Sequence, residues 1–268
     1  MRRSSNLGVI MNPSVVNRAW LETAQSIDSI ATPSAEEFHR RFVRPALPVV
    51  IKGAALTLGA IERWTSGYLK AAAGHRRVPI EFSPDKEFAV PERIGKDQTH
   101  STFGRFVDYL LYGDAASQTT YYLAQIDALR YLPELVGDVV RPPFAPLAKI
   151  MRPPYLWMGI GRNASKLHYD SYDNLYAMIN GRKHITLFPP ADRRNLYPYN
   201  DHPKYRHFSR LNLRLPDLDR FPRLLNARPF ECVLCRGDIL YIPEGWWHYL
   251  RSHGLNVAVN WWWIEGHA

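Results

Sequence analysis

His168-Tyr169-Asp170 sets an imidazole and a carboxylate two residues apart. In an extended strand, residues i and i+2 point to the same face, so the two groups would project side by side. One more imidazole would complete the two-histidine, one-carboxylate face that holds Fe(II) while leaving coordination positions open. The candidate is His248, at the end of Tyr241-Ile-Pro-Glu-Gly-Trp-Trp-His248, 78 residues beyond Asp170. Folding closes that gap if the two segments are neighbouring strands or turns of one barrel.

A second reactive group follows on the same stretch. Asn180-Gly181 is a strong signal for a type I′ hairpin turn, whose two central residues both need positive φ. It separates residues 174–179 from 182–188, both rich in β-branched, aromatic and large apolar residues. A two-residue turn there predicts Met178 opposite Lys183 and Asn174 opposite Leu187. Asn174, Tyr176, Met178, Lys183, Ile185 and Leu187 then share one face. Lys183 becomes a cation on a mostly apolar face, where an unpaired charge is costly. Two outcomes stay open: an acidic cosubstrate beside the metal, or a lysine that snorkels at the sheet edge with its ammonium in water.

The elements that must position these groups read as mainly β with flanking helices. Residues 1–30 read as a loosely held arm with a short helix around 16–26, and residues 31–268 as one domain. Within it, 31–154 supply supporting helices and strands, and 155–268 the core half of a barrel. Ser34-Ala-Glu-Glu37 is a capping box opening a helix; residues 64–73 and 103–112 are further helices, each followed by Gly. Strands are expected at 48–51, 78–82, 119–125, 155–160, 230–234, 239–242 and 255–263, with turns at 236–238 and 252–254. In the last strand Leu255, Val257, Val259 and Trp261 alternate with Asn256, Ala258, Asn260 and Trp262. Asn260 therefore either lines the pocket beside His248 with a hydrogen-bond partner or faces water. Residues 189–228, rich in Arg and Pro, are too long for an ordinary hairpin loop; they either contact substrate or pack over the outside of the barrel.

Composition sets the outer limits. At 268 residues, 46% hydrophobic, the chain can bury a large core as one β domain. No apolar run reaches the roughly 20 residues that span a bilayer, and the N-terminus lacks a signal-peptide pattern, so a cytoplasmic protein without membrane association is expected. The net charge of +9 permits an anionic partner, yet the cations are dispersed, as on a well-solvated surface. Cys232 and Cys235 are the only cysteines; at i and i+3 of a strand they point to opposite faces, against a zinc or redox pair.

Taken together, the chain resembles the JmjC-type Fe(II)/2-oxoglutarate oxygenases, in particular the small hydroxylases acting on asparaginyl, arginyl or tRNA wybutosine groups rather than the large histone demethylases. The resemblance rests on Tyr122-Leu-Ala-Gln125, His168-Tyr-Asp170 with Asn174, Gly181-Arg-Lys183 leading into Leu187-Phe-Pro-Pro190, Leu196-Tyr-Pro198, Gly237-Asp-Ile-Leu-Tyr-Ile-Pro243, Trp247-His248 and Val259-Asn-Trp261. It runs from about Ser34 onward and is firmest after Tyr155. It implies a double-stranded β-helix (jelly-roll, cupin/JmjC) with His168, Asp170 and His248 as catalytic iron ligands. It also implies that Lys183 pairs with the distal carboxylate of 2-oxoglutarate, with Tyr122 and Ser165 bonding the same group and Asn174 and Asn260 near the cosubstrate or O2. The implied reaction couples decarboxylation of 2-oxoglutarate to hydroxylation of a substrate C–H bond. The expected substrate is an amino-acid side chain in a peptide or protein; a tRNA nucleoside or a small metabolite is the alternative, and a non-catalytic cupin-like binding protein the reading from a different class. Monomer and homodimer are both compatible with the sequence.

Overall fold

Two long antiparallel strands, Asp173–Phe188 and Trp247–Ile264, pair along their whole length and organise the molecule. The computed structural model describes residues 19–113, 117, 119–146 and 150–265; residues 1–18 of the expected arm lie outside these. Both strands bend near the middle, so each contributes to two sheets. In the first, residues 174–177 pair with Ile239–Ile242 and residues 256–260 with Tyr155–Gly159, which continues through Thr120–Asp127 to Arg77–Ser83. In the second, residues 182–187 pair with Phe230–Cys235 and residues 247–251 with Ala164–Tyr169. The result is the expected jelly roll, with sheet edges carried on by short strands.

Side-chain alternation fills three layers. Between the sheets lie Tyr176, Met178, Ile185, Leu187, Leu240 and Ile242. Outside the first sheet, Leu175, Ala177, Val259, Trp261 and Trp263 pack against the N-terminal helices. Outside the second, Phe188, Trp247 and Tyr249 are covered by Trp20 and by Leu196, Leu211 and Leu224 of the long connecting segment. Fully burying each such side chain stabilises by about 1.5–3 kcal/mol, so the 190–228 segment is part of the fold as well as a rim.

The helices start as read. Ser34, Thr65 and Thr102 accept hydrogen bonds from the N–H three residues on, the usual N-cap arrangement. Helix Phe103–Tyr112 buries Phe103, Phe106, Val107 and Leu110, one face at helical spacing. The expected arm is less loose in its described part: residues 16–18 of the expected helix over 16–26 lie outside the described residues, and after a single turn at Ala19–Leu21, Gln25–Ser26 pairs with Phe230–Glu231 and Ser29–Ile30 with Val50–Ile51.

The hairpin at Asn180-Gly181 does not form. The chain runs straight through as one strand, and the register against its partner shifts between Met178, Asn180 and Arg182. The expected turn at 252–254 lies directly across, inside the other long strand, with Arg182 opposite His253. Both turn signals therefore mark bends of paired strands. Gly181 takes φ +79°, Gly254 φ +65°, and a Cβ on Gly181 would collide with the Leu255 carbonyl oxygen. An irregular register changes which parity of residue faces inward. For that reason Tyr176 and Met178 still share the inner layer with Ile185 and Leu187, as a hairpin would also have placed them. No helix among the described residues is long and apolar enough to cross a membrane.

Candidate metal centre and its two-lobed cavity

His168 and His248 are register partners on neighbouring strands, and their Nε2 atoms face each other at 3.2 Å. Asp170 follows one residue beyond the end of strand Ala164–Tyr169; its carboxylate oxygens lie 4.0 Å from His168 Nε2 and 3.7 Å from His248 Nε2. One ligand atom from each residue falls within 4.8 Å of the others, a grouping that could hold a metal ion. The opposite ring nitrogens are tied to backbone: His168 Nδ1 to the Lys166 carbonyl at 2.6 Å and His248 Nδ1 to the Trp246 carbonyl at 3.0 Å. Donation from Nδ1–H to these carbonyls assigns the tautomer and leaves both Nε2 lone pairs aimed at one point. Burial, reinforced by His248, lowers the His168 pKa to about 4, so a proton does not fill that gap at neutral pH. Two lone pairs and a carboxylate converging there fit a divalent cation.

The turn that carries His248 is fixed by Asp173. Its Oδ1 accepts from the Tyr241 hydroxyl at 2.6 Å and from the Glu244 N–H at 3.2 Å, while Gly245 N–H bonds the Asp170 carbonyl. The 243–248 turn is thereby held against the 170–173 segment, and sequence spacing gave no sign of this tie.

Lys183 is 2% exposed and donates to the Tyr122 hydroxyl at 2.9 Å, with the Tyr122 and Tyr176 rings 5.3 and 5.6 Å from its ammonium. Of the two outcomes left open by the sequence, the snorkelling one is excluded. Burial alone lowers the Lys183 pKa to about 7, and no carboxylate among the described residues pairs with it. Removal of a cation from water without a counter-charge is unfavourable, so this end of the cavity suits an anion. Burial also raises the Tyr122 hydroxyl pKa, which keeps it neutral.

The cavity has two lobes that meet at the metal ligands. The inner lobe ends at Lys183, Tyr176 and Asn174 and includes His248. The outer lobe, about 390 Å³, is walled by Glu81, Phe88 and Ala89 on one side and Lys204, Tyr205 and Phe208 on the other. Tyr122, Gln125, Trp157, Ser165, His168 and Asp170 line both. Ser165 and Tyr122 thus both line the cavity. Asn174 lines the inner lobe, but Asn260, fully buried, stands one layer behind the cavity. It accepts from Trp157 Nε1 at 2.7 Å and donates to Asn174 Oδ1 at 3.0 Å, positioning two lining residues instead of facing the cavity itself.

Several lining residues escaped the sequence reading. Gln125 adopts φ 50° at an irregularity in the pairing of Thr120–Asp127, a conformation that costs a non-glycine residue about 1 kcal/mol or more. Glu81 is half-buried in the outer wall, and burial first, then Asp97, pushes its carboxyl up to about 7. Phe208 stacks on His168 at 5.5 Å between centroids.

Residues 34–267 match the model of the cupin-like domain family. The chain is 34% identical over 251 residues to lysine-specific demethylase 8 of Danio rerio, covering 91% of the chain and 59% of that protein. It is 29% identical to lysine-specific demethylase JMJ30 of Arabidopsis thaliana, over 90% of the chain and 55% of the relative. To tRNA wybutosine-synthesizing protein 5 of Mus musculus it is 30% identical, over 86% of the chain and 75% of the relative. The chain therefore spans a little over half the length of the two demethylase-named relatives.

Proposed function

We propose that this chain, which belongs to the cupin-like JmjC domain family, is an Fe(II)- and 2-oxoglutarate-dependent dioxygenase that hydroxylates a C–H bond of an amino-acid side chain in a peptide or protein. The observation that carries the reading is the two-lobed cavity, with three convergent metal-binding side chains at its neck and a buried, acid-free lysine at its closed end. His168, Asp170 and His248 would hold the iron. Lys183, with Tyr122 and Ser165, would bind the distal carboxylate of 2-oxoglutarate, and Asn174 would border the same molecule. Iron, 2-oxoglutarate and O2 together would supply the oxidising chemistry; the protein supplies binding and orientation.

The residues divide that work. The backbone carbonyls of Lys166 and Trp246 hold both imidazoles in the tautomer a metal requires. Lys183, held largely neutral above pH 7 by burial, would gain a proton when it meets the anion and form a charge-assisted hydrogen bond with it. Trp157, Tyr122 and Phe208 form an aromatic collar that excludes water from the neck. The outer lobe is left to position the target carbon within reach of the metal, and such positioning accounts for much of the rate in this kind of site. Hydroxylation of an N-methyl carbon on a lysine would use the same arrangement and give an N-hydroxymethyl group whose C–N bond breaks to the amine and formaldehyde, which accommodates the names of the demethylase relatives.

A second reading, a modified tRNA nucleoside as substrate, is favoured by the 75% coverage of the wybutosine-synthesizing relative. Setting and substrate are tested together by incubating the purified chain with Fe(II), 2-oxoglutarate and O2 and measuring succinate with peptide pools, tRNA pools or neither. Peptide-stimulated succinate supports the first reading; stimulation by tRNA alone replaces it with the second. The free thiols of Cys232 and Cys235 agree with action in the reducing cytoplasm.

A further inference from the structure

The two segments that wall the outer lobe carry opposite net charge. Residues 190–228 contain nine Lys or Arg against four Asp, a net +5 out of +9 for the whole chain, and Lys204, Tyr205, His207 and Phe208 among them line the cavity. Residues 81–97, of which Glu81, Phe88, Ala89 and Ile94 line the facing side, contain five Asp or Glu against three Lys or Arg, a net −2, with Asp85 and Asp97 paired to Arg93. Two of the four Asp in the basic segment are already engaged, Asp192 by Arg228 and Asp201 by Arg210. Lys204 is exposed where it lines the mouth, Arg206 is exposed two residues further along the same segment, and no carboxylate among the described residues is bonded to either.

This charge separation is built in rather than fluctuating. A run of rings, His202 on Tyr205 at 4.3 Å, Tyr205 to Phe208 at 6.4 Å and Phe208 on His168 at 5.5 Å, fastens the basic segment to the metal neck. The two walls are also cross-tied at their margins: Tyr199 donates to Glu92 at 2.8 Å, and the Arg214 guanidinium to the Asp85 carbonyl at 3.1 Å. Lys204 is thus displayed at a fixed position relative to Glu81 across the lobe, with little ordering left to do on binding.

We propose that the mouth docks a polypeptide segment of asymmetric charge, with acidic residues on one side of the target against Lys204 and Arg206 and neutral or basic residues on the other against the 81–97 wall. The proposal rests on the peptide reading of the preceding section and specifies which peptides. A nucleic acid would lay phosphates along both walls, and the acidic wall repels one half of it; a peptide can match each wall separately. Complementarity of this kind selects partners and speeds encounter.

The test measures fluorescence anisotropy of labelled peptides that share a central sequence, without added metal or 2-oxoglutarate, so that docking is read independently of turnover. One peptide carries three Glu on a single side, one three Glu on both sides, one three Lys on a single side; an RNA stem-loop is the fourth probe. The one-sided acidic peptide should bind about five- to tenfold tighter than the lysine peptide, given two rim pairs of ordinary strength, and the margin should shrink with salt. It should also exceed the doubly acidic peptide. Lys204→Glu with Arg206→Glu should invert the order of the acidic and basic peptides, circular dichroism reporting that the variant is folded; the wild-type ranking stands on its own if it is not. Equal affinities, no binding by any peptide, or tighter binding of the RNA would overturn the proposal. Succinate release in the separate assay decides the enzyme reading, so docking and chemistry can fail independently.

Discussion

The ammonium of Lys183 and the hydroxyl of Tyr122, both 2% exposed, meet at 2.9 Å at the closed end of the cavity, and the lysine has no carboxylate to neutralise it. Its pKa falls from 10.5 to about 7 in the folded protein. Between those two values the unfolded chain binds the extra proton, so the lysine's burial penalises folding below about pH 10 and fully below 7, and apo stability gains from this group as pH rises. An anion bound beside it restores the proton. Binding of 2-oxoglutarate at pH 8 should therefore take up close to one proton, and its affinity should fall as pH rises above 7. Calorimetry in buffers of different ionisation enthalpy measures the uptake; Lys183→Met should abolish it, and uptake unchanged in that variant would place the anion elsewhere.

Convergence of the His168 and His248 lone pairs predicts a stabilising metal. Anaerobic Fe(II), or Mn(II) as a redox-silent substitute, at about a hundred times its dissociation constant should raise the melting temperature by roughly 5–10 °C. Chelation should reverse the rise. His168→Ala, Asp170→Ala and His248→Ala should each remove most of it and lower 2-oxoglutarate turnover by at least about a hundredfold, while far-UV circular dichroism stays that of the wild type. A full thermal shift in any of the three would remove that residue from the ligand set.

Gly181 marks where the long strand bends. Gly181→Ala puts a methyl into the Leu255 carbonyl at a φ that alanine avoids and should cost roughly 2–4 kcal/mol of stability in denaturant unfolding. Gly95→Ala offers a comparison: φ there is +76° with open space around the added carbon, so it should cost only about 1 kcal/mol. Equal losses would mean that the steric approach to Leu255 is not what the bend depends on.

Asp173 joins two ligand-bearing segments without reaching the cavity. Asp173→Ala strips acceptors from the Tyr241 hydroxyl and the Glu244 N–H, with an expected loss of about 2–3 kcal/mol and weaker metal binding through a displaced His248. Asp173→Asn keeps an acceptor oxygen and should recover most of the metal affinity. A variant that loses stability but binds metal normally would make Asp173 a purely structural residue.

Much of this site could be read from residue order because strand periodicity fixes which side a residue faces. His168 and Asp170 needed only an extended backbone, and Lys183 fell on the inner face with Tyr176 and Met178 although the reason differed: a bend with shifted register gives the same parity as a two-residue hairpin. Asn-Gly tolerates positive φ in either setting, and the local sequence does not say whether the chain then turns back or continues. Alternation also gives direction without depth, so Asn260 was placed on the correct face but one layer too close. Glu81 and Gln125 fall at the ends of expected strands and Lys204 and Phe208 in the long segment without periodicity, and their meeting is decided by tertiary pairing alone.

The two bent strands also divide the molecule's capacity for change. His248, Lys183 and the inner lobe are carried on ladders shared by both sheets, where any slippage would break two sheets at once. The mouth is shaped by residues 84–97 and 190–228, outside those shared ladders. Grafting these two rims between relatives should exchange what enters the cavity while leaving the neck as it was, making this fold a fixed reaction chamber with an interchangeable door.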